Sequence, residues 1–233
     1  MRKIPLIFVP GLLCDDALWA FQADELAPAA ACQITDRHLY HNSIATIAAA
    51  IVAQAPPRFA LAGLSMGGYI ALEICRKYSD RVDRLALVDT SARAETLEQT
   101  GRREKLMALC QQGRFADVIE LLFSVLVHPG RLNDTVLKRQ IADMAHRIGP
   151  EVFDRQQRAI INRPDQVAKL TKIACPTLVV CGQQDQITPM ACSEEMAANI
   201  KTSELVVIPD CGHMSTMEKP AEVSTALRHW LTR

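Results

Sequence analysis

Phe59-Ala60-Leu61-Ala62-Gly63-Leu64-Ser65-Met66-Gly67-Gly68 sets an unbroken apolar run directly against a serine crowded by glycines. Phe59 to Ala62 reads as a strand buried on both faces. The glycines behind it permit a sharp turn and a close backbone approach. Gly63 to Gly67 carries the pattern G-x-S-x-G, in which a strained strand-to-helix turn lifts a serine hydroxyl clear of a sheet. A serine in such a turn can also do no more than cap the next helix. The remainder of the chain discriminates between the two readings.

Short apolar runs bounded by turn residues recur at Ile4 to Val9, Leu85 to Val88, Thr177 to Cys181 and Leu205 to Ile208, with a weaker one near Cys32 to Thr35. Helical patterns at 16–27, 43–54, 66–78, 190–199 and 220–232 fall between or beside them. Continuous apolar strands alternating with helices predict an α/β fold with a parallel sheet covered on both faces. From about Ala94 to Lys172 the rhythm breaks, with no strand but several amphipathic patterns, such as Phe115, Val118, Ile119 and Leu122. That interval predicts a helical lid between the fourth and fifth strands, within a single domain spanning 1–233.

Composition narrows the partners. Lys plus Arg and Asp plus Glu both number 26, so the chain has no net field to attract nucleic acid or an anionic membrane. A small-molecule, ester-like substrate, uncharged overall, is the expected partner, and the oligomeric state is left open. Eight cysteines scattered through apolar runs and loops read as reduced thiols of a cytoplasmic protein. Cys211 and His213 lack the partner spacing of a metal site, and no metal or organic cofactor is expected. The start imitates a short signal peptide ending at Cys14, but Pro5, Pro10 and Gly11 interrupt its apolar stretch and Leu13 is too bulky for a cleavage point. No apolar run approaches the length of a membrane span.

A serine hydroxyl needs a base within reach, and that base needs an acid to fix its tautomer. Asp185 lies in Gly182-Gln183-Gln184-Asp185-Gln186, after the run Thr177 to Cys181; His213 lies in Pro209-Asp210-Cys211-Gly212-His213, after Leu205 to Ile208. Parallel strands send every following loop to one edge of the sheet, where open α/β sheets bind ligands. The order Ser65, Asp185, His213 is the one expected with this motif. Asp89, at the end of Leu85 to Val88, is a second candidate acid, although it adjoins its strand and can bond Thr90 or Ser91 locally.

Together with Phe8-Val9-Pro10-Gly11-Leu12-Leu13, the elbow at Gly63 to Gly68, Leu85 to Ala92, Thr177 to Pro189 and Val207 to Ser215, this constellation resembles the α/β-hydrolase superfamily. Within it, the compact lidded esterases and enol-lactone hydrolases are most similar. The resemblance implies an open, mostly parallel six-stranded sheet in the order 2-1-3-4-5-6. It implies Ser65, Asp185 and His213 as a triad, and backbone N–H groups of Leu12 and Met66 as an oxyanion hole. Many relatives carry His-Gly where this chain has Pro10-Gly11. The implied activity is hydrolysis of a small carboxylic ester, lactone or thioester through an acyl-enzyme on Ser65. Carbon-carbon hydrolases, haloperoxidases, lyases and ligand receptors of the same fold keep the triad and stay open as alternatives. Ser65 argues against haloalkane dehalogenases, which place an aspartate there, and Met214 against hydroxynitrile lyases, which place a lysine there. Trp19, Phe123 and Phe153 are candidates for lining the crevice or for core packing. Arg93, Arg158 and Arg163 are candidates for greeting an acidic substrate or for plain surface solvation.

Overall fold

The computed structural model describes residues 3–233. Six strands make one sheet: β1 (Ile4–Val9), β2 (Ala30–Ile34), β3 (Phe59–Leu64), β4 (Val82–Val88), β5 (Thr177–Gly182) and β6 (Ser203–Ile208). Every neighbouring pair is parallel, and the order is β2-β1-β3-β4-β5-β6. The central strands are buried along their whole length on β3 and β5, as their unbroken apolar sequence demands.

Alternate residues divide between two cores. Leu6, Phe8, Ala60, Ala62, Ala86 and Val180 face one layer, with α1 (Ala20–Leu26) and, at the far end of the chain, α10 (Pro220–Leu231) over them. Ile7, Val9, Leu61, Leu85 and Val179 face the other, beneath α2 (Ile44–Gln54), α3 (Met66–Lys77) and α8 (Met190–Asn199). The helix α2 shows why: Ile44, Ile47, Ala48, Ile51 and Val52 repeat on one face, and Ser43 caps its start by accepting from Thr46 N at 3.2 Å.

Between β4 and β5 lie α4 (Leu97–Gln111), α5 (Phe115–Leu126), α6 (Thr135–Ile148) and α7 (Pro150–Ile161). They bury Met107, Val118, Ile119, Ala145 and Phe153 in a third core, which also takes in Leu13 from the loop after β1. The insertion therefore packs onto the carboxyl edge of the sheet through its own hydrophobic contacts. The short α9 (Ser215–Glu218) follows β6.

Two boundaries depart from the expectation drawn from sequence. The pattern over 16–27 resolves into a 3-10 turn at Asp16–Leu18 followed by α1, because the Asp15 carboxylate accepts from Ala17 N at 3.0 Å and caps the turn. β4 begins at Val82 rather than Leu85, since Asp83 pairs with Arg58 at the rim of the sheet and tolerates the charge there. All eight cysteines are free thiols. Among the described residues, no helix is long and apolar enough to cross a membrane.

Candidate active site

Ser65 stands between β3 and α3 with φ 55° and ψ −115°, a conformation costing on the order of 1–3 kcal/mol that persists only where its surroundings hold it. Here they do. Ser65 N–H donates to Val88 O at 2.9 Å, and the Ser65 carbonyl accepts from the Thr90 hydroxyl at 2.8 Å. The glycines are a steric requirement of the same turn. A Cβ on Gly63 would sit 2.2 Å from the Gly67 carbonyl oxygen, and one on Gly67 would sit 2.0 Å from that of Val9. Only glycine lets α3 descend this close to β1 and β3.

Asp185 and His213 meet in the loops after β5 and β6. The imidazole Nδ1 lies 2.7 Å from Asp185 Oδ2, with both side chains buried. The other carboxylate oxygen accepts from Ile187 N at 2.8 Å and Thr188 N at 3.0 Å, and the Thr188 hydroxyl donates to Oδ2 at 2.8 Å. Burial alone would raise the Asp185 pKa, but the facing imidazole and these donors hold it below the ordinary carboxylate value. Burial likewise opposes the imidazolium, and the Asp185 charge and hydrogen bond more than offset it, holding His213 above the ordinary imidazole value. Ser65 and His213 both face one cavity of about 310 Å³.

Asp89 takes a different post. It is fully buried, and its two oxygens accept from Gly182 N at 2.9 Å and Ser215 N at 3.2 Å, so it ties the end of β5 to α9. The hydrogen-bond partner of His213 is Asp185, not Asp89. Burial, with the nearby Asp185 charge, pushes the Asp89 pKa up to about 7.

Leu12 and Met66, the two backbone donors inferred from the resemblance, flank the serine. Met66 opens α3, where the helix offers its N–H no acceptor. Leu12 lines the cavity beside Gly11 and Ser65. Its neighbour Leu13 has φ 57° and donates its N–H to Gln156 Oε1, 3.0 Å away on α7. Gln156 Nε2 in turn donates to His38 O at 3.4 Å. A buried glutamine of the inserted helices thus pins the loop after β1, a role that 143 residues of sequence separation concealed.

Glu218 belongs to no sequence motif, although its place five residues beyond His213 is a usable signal. Its carboxylate accepts from Gly212 N at 3.0 Å, Met214 N at 3.3 Å and His128 N at 2.7 Å, and so shapes the histidine loop. The aromatic candidates do not line the cavity. Trp19 stacks on Phe8 with centroids 4.7 Å apart, and Phe123 and Phe153 are buried in the cores. The wall comes instead from Leu106, Leu122, Val125, Leu126 and Ile160. Of the arginines, Arg93 pairs with Glu195 and Arg158 with Asp154 at the surface, whereas Arg163 is buried against Glu95. A larger cavity, of about 590 Å³ around Arg76, Lys169 and Cys175, contains none of Ser65, Asp185 and His213. Among the described residues, no three His, Cys, Asp or Glu side chains converge as metal ligands.

Comparison with known proteins agrees with this architecture. A thermophilic esterase from Thermogutta terrifontis superposes with a TM-score of 0.88 at 29% identity, covering 99% of this chain and 90% of that one. The enol-lactonase from Burkholderia xenovorans LB400 shares the fold with a TM-score of 0.90 at 20% identity, over 100% and 93% of the two chains. A 2-hydroxy-6-oxononadienedioate/2-hydroxy-6-oxononatrienedioate hydrolase of Escherichia coli strain K12 is 26% identical over 178 residues, 74% of this chain and 62% of that protein. The family model for the alpha/beta hydrolase fold matches residues 28–220, and the chain belongs to that family.

Proposed function

We propose that the protein is a serine hydrolase that cleaves a small carboxylic ester, lactone or thioester through an acyl-enzyme on Ser65. The observation that carries this reading is the 2.7 Å Asp185–His213 hydrogen bond beside a cavity that Ser65 and His213 share. His213 takes the Ser65 proton on Nε2 as Oγ adds to the substrate carbonyl carbon. The carbonyl π pair moves to oxygen, where Leu12 N–H and Met66 N–H stabilise it. Collapse of that oxyanion expels the alcohol or thiol, which leaves with the proton from His213. Water then attacks the acyl-enzyme by the same steps, with His213 again as base, and releases the acid. Asp185 keeps Nδ1 protonated and steadies the imidazolium in both halves.

The apolar wall suits an acyl or alcohol chain of modest length, and helices within 94–172 act as a lid that selects it. The whole chain works as one unit on a small molecule in the cytoplasm. The test is active-site labelling. A fluorophosphonate is expected to add one group per chain to the wild type and none to Ser65→Ala. Equal labelling of the two proteins, or none of either, overturns the reading.

A further inference from the structure

The cavity beside Ser65 is not uniformly apolar. At the end bounded by α4 a smaller chamber of about 120 Å³ adjoins it, and the two share Tyr69, Glu95, Gln99, Arg103 and Ile187 in their walls. Arg163 also lines that chamber and stacks its guanidinium over the Tyr69 ring, 4.2 Å from the centroid. Arg103 Nε donates to Glu95 Oε2 at 2.8 Å and its Nη1 to Gln157 Oε1 at 2.9 Å, while Arg163 pairs with the same Glu95 oxygen. These side chains are scarcely exposed: 17% for Arg103, 5% for Arg163 and 2% for Glu95.

The charge balance in this chamber is uneven. Two guanidinium groups share one carboxylate, leaving one positive charge in surroundings where an unpaired ion is costly. Hydrogen bonding is also incomplete. Glu95 Oε1 and Gln157 Nε2 are buried without partners, and Arg103 Nη2 and the Tyr69 hydroxyl make no hydrogen bond among the described residues. Arg103 and Tyr69 line both cavities, so their open Nη2 and hydroxyl donors mark a place for an acceptor atom of a ligand.

We infer that this chamber binds a carboxylate carried by the substrate, so that the preferred substrates of the Ser65 site are half-esters or thioesters of dicarboxylic acids, or lactones bearing a carboxylate. A planar monoanion fits the ledger: it neutralises the one surplus charge and can lie against the fork of Arg103. Glu95 Oε1 opposes a second negative charge and so selects against a phosphate dianion. Tyr69, one helical turn beyond Ser65 on α3, brings the chamber close to the reacting carbonyl, so the linking chain is short.

The inference rests on Ser65 being the acyl acceptor, and the test separates the two. Rates are measured for p-nitrophenyl hydrogen succinate, glutarate and adipate against p-nitrophenyl butyrate, pentanoate and hexanoate. The wild type is expected to favour at least one carboxylated ester over its neutral counterpart by about tenfold or more in kcat/KM, and Arg103→Gln to bring that ratio close to unity. Arg103→Lys, which keeps the charge but not the planar fork, is expected to give an intermediate ratio and serves if the glutamine variant does not fold. The ratio cancels any general loss of activity. Neutral esters preferred throughout, or a carboxylate preference undiminished in a folded Arg103 variant, overturns the inference. If no ester turns over, calorimetry of monoethyl glutarate with Ser65→Ala decides: binding weakened about tenfold or more by adding Arg103→Gln supports the chamber's role, and no binding overturns it. Fluorophosphonate labelling reports on Ser65 independently.

Discussion

Replacing Gln156 with leucine removes an acceptor, not a catalytic group, and the consequence can be followed atom by atom. The Leu13 N–H loses its 3.0 Å partner in a buried setting, and the His38 carbonyl loses its 3.4 Å donor. An unsatisfied buried donor costs about 1–3 kcal/mol. Leu13 also holds φ 57°, which for an L-residue costs roughly a further 1–2 kcal/mol that the Gln156 contact helps sustain. The cheapest relief is for the loop after β1 to rotate back towards ordinary φ, which swings the adjoining Leu12 N–H away from the position where the oxyanion forms. Outright removal of one such donor costs roughly 10²–10³ in kcat, so a displaced one is expected to cost about 10- to 100-fold. KM should change little, because the apolar wall that holds the ground state is untouched. The melting temperature should fall by about 2–10 °C for a loss of ~1–3 kcal/mol in a chain of this size. The assay is kcat and KM on p-nitrophenyl butyrate together with a thermal melt, and Gln156→Glu is the companion variant. Glutamate keeps the acceptor for Leu13 N–H but loses the donor to His38 O and buries a carboxyl group, so it should recover kcat only in part. A folded Gln156→Leu protein with kcat within twofold of wild type refutes the reasoning.

Three further outcomes follow from the same geometry. Asp185→Asn should lower kcat by about 10⁴, the cost of the wrong imidazole tautomer, while Asp89→Asn should cost less than about tenfold; stopped assays on the two folded variants rank them. Asp89 carries the opposite signature in stability. Its folded pKa, raised to about 7 from 3.8, contributes stability that is fully present below the lower value and lost as pH rises through the upper one. Melting-temperature differences between Asp89→Asn and wild type should therefore shift in the variant's favour as pH is raised from about 4 to about 7. Finally, His213 must be neutral to act as base, and its pKa lies above the ordinary 6.5, so kcat/KM should fall as pH drops with a midpoint above that value; a flat profile from about pH 5 to 8 contradicts its role.

Much of the framework could be read from local pattern. Phe59 to Ala62 is apolar without a break because β3 is buried on both faces, and the glycines around Ser65 answer close approaches to β1 and α3. Asp185 and His213 were visible because parallel strands deliver their following loops to a common edge. What sequence could not supply was pairing across distance. Gln156 supports Leu13 from 143 positions away, and Arg163 reaches Glu95 over 68. Arg103 sits in a charged stretch of α4, Gly101-Arg102-Arg103-Glu104-Lys105, where pattern alone assigns every charge to solvent; only the fold turns this one inward against Glu95. The same limit explains the lining. Trp19 and Phe153 are large enough to wall a crevice, but their volume is needed in the cores, and smaller aliphatic residues of α4, α5 and α7 take the wall.

Catalysis by this route requires a covalent bond between the acyl group and Ser65 during turnover. Mixing the protein with p-nitrophenyl acetate, quenching in acid within the first turnover and mapping peptides by mass gives that bond directly. The expected result is an acetyl group on Ser65 that appears with the first release of p-nitrophenol, decays on chasing, and is absent from Ser65→Ala. Full-rate p-nitrophenol release with acetyl on another residue, or with the same rate from Ser65→Ala, contradicts it.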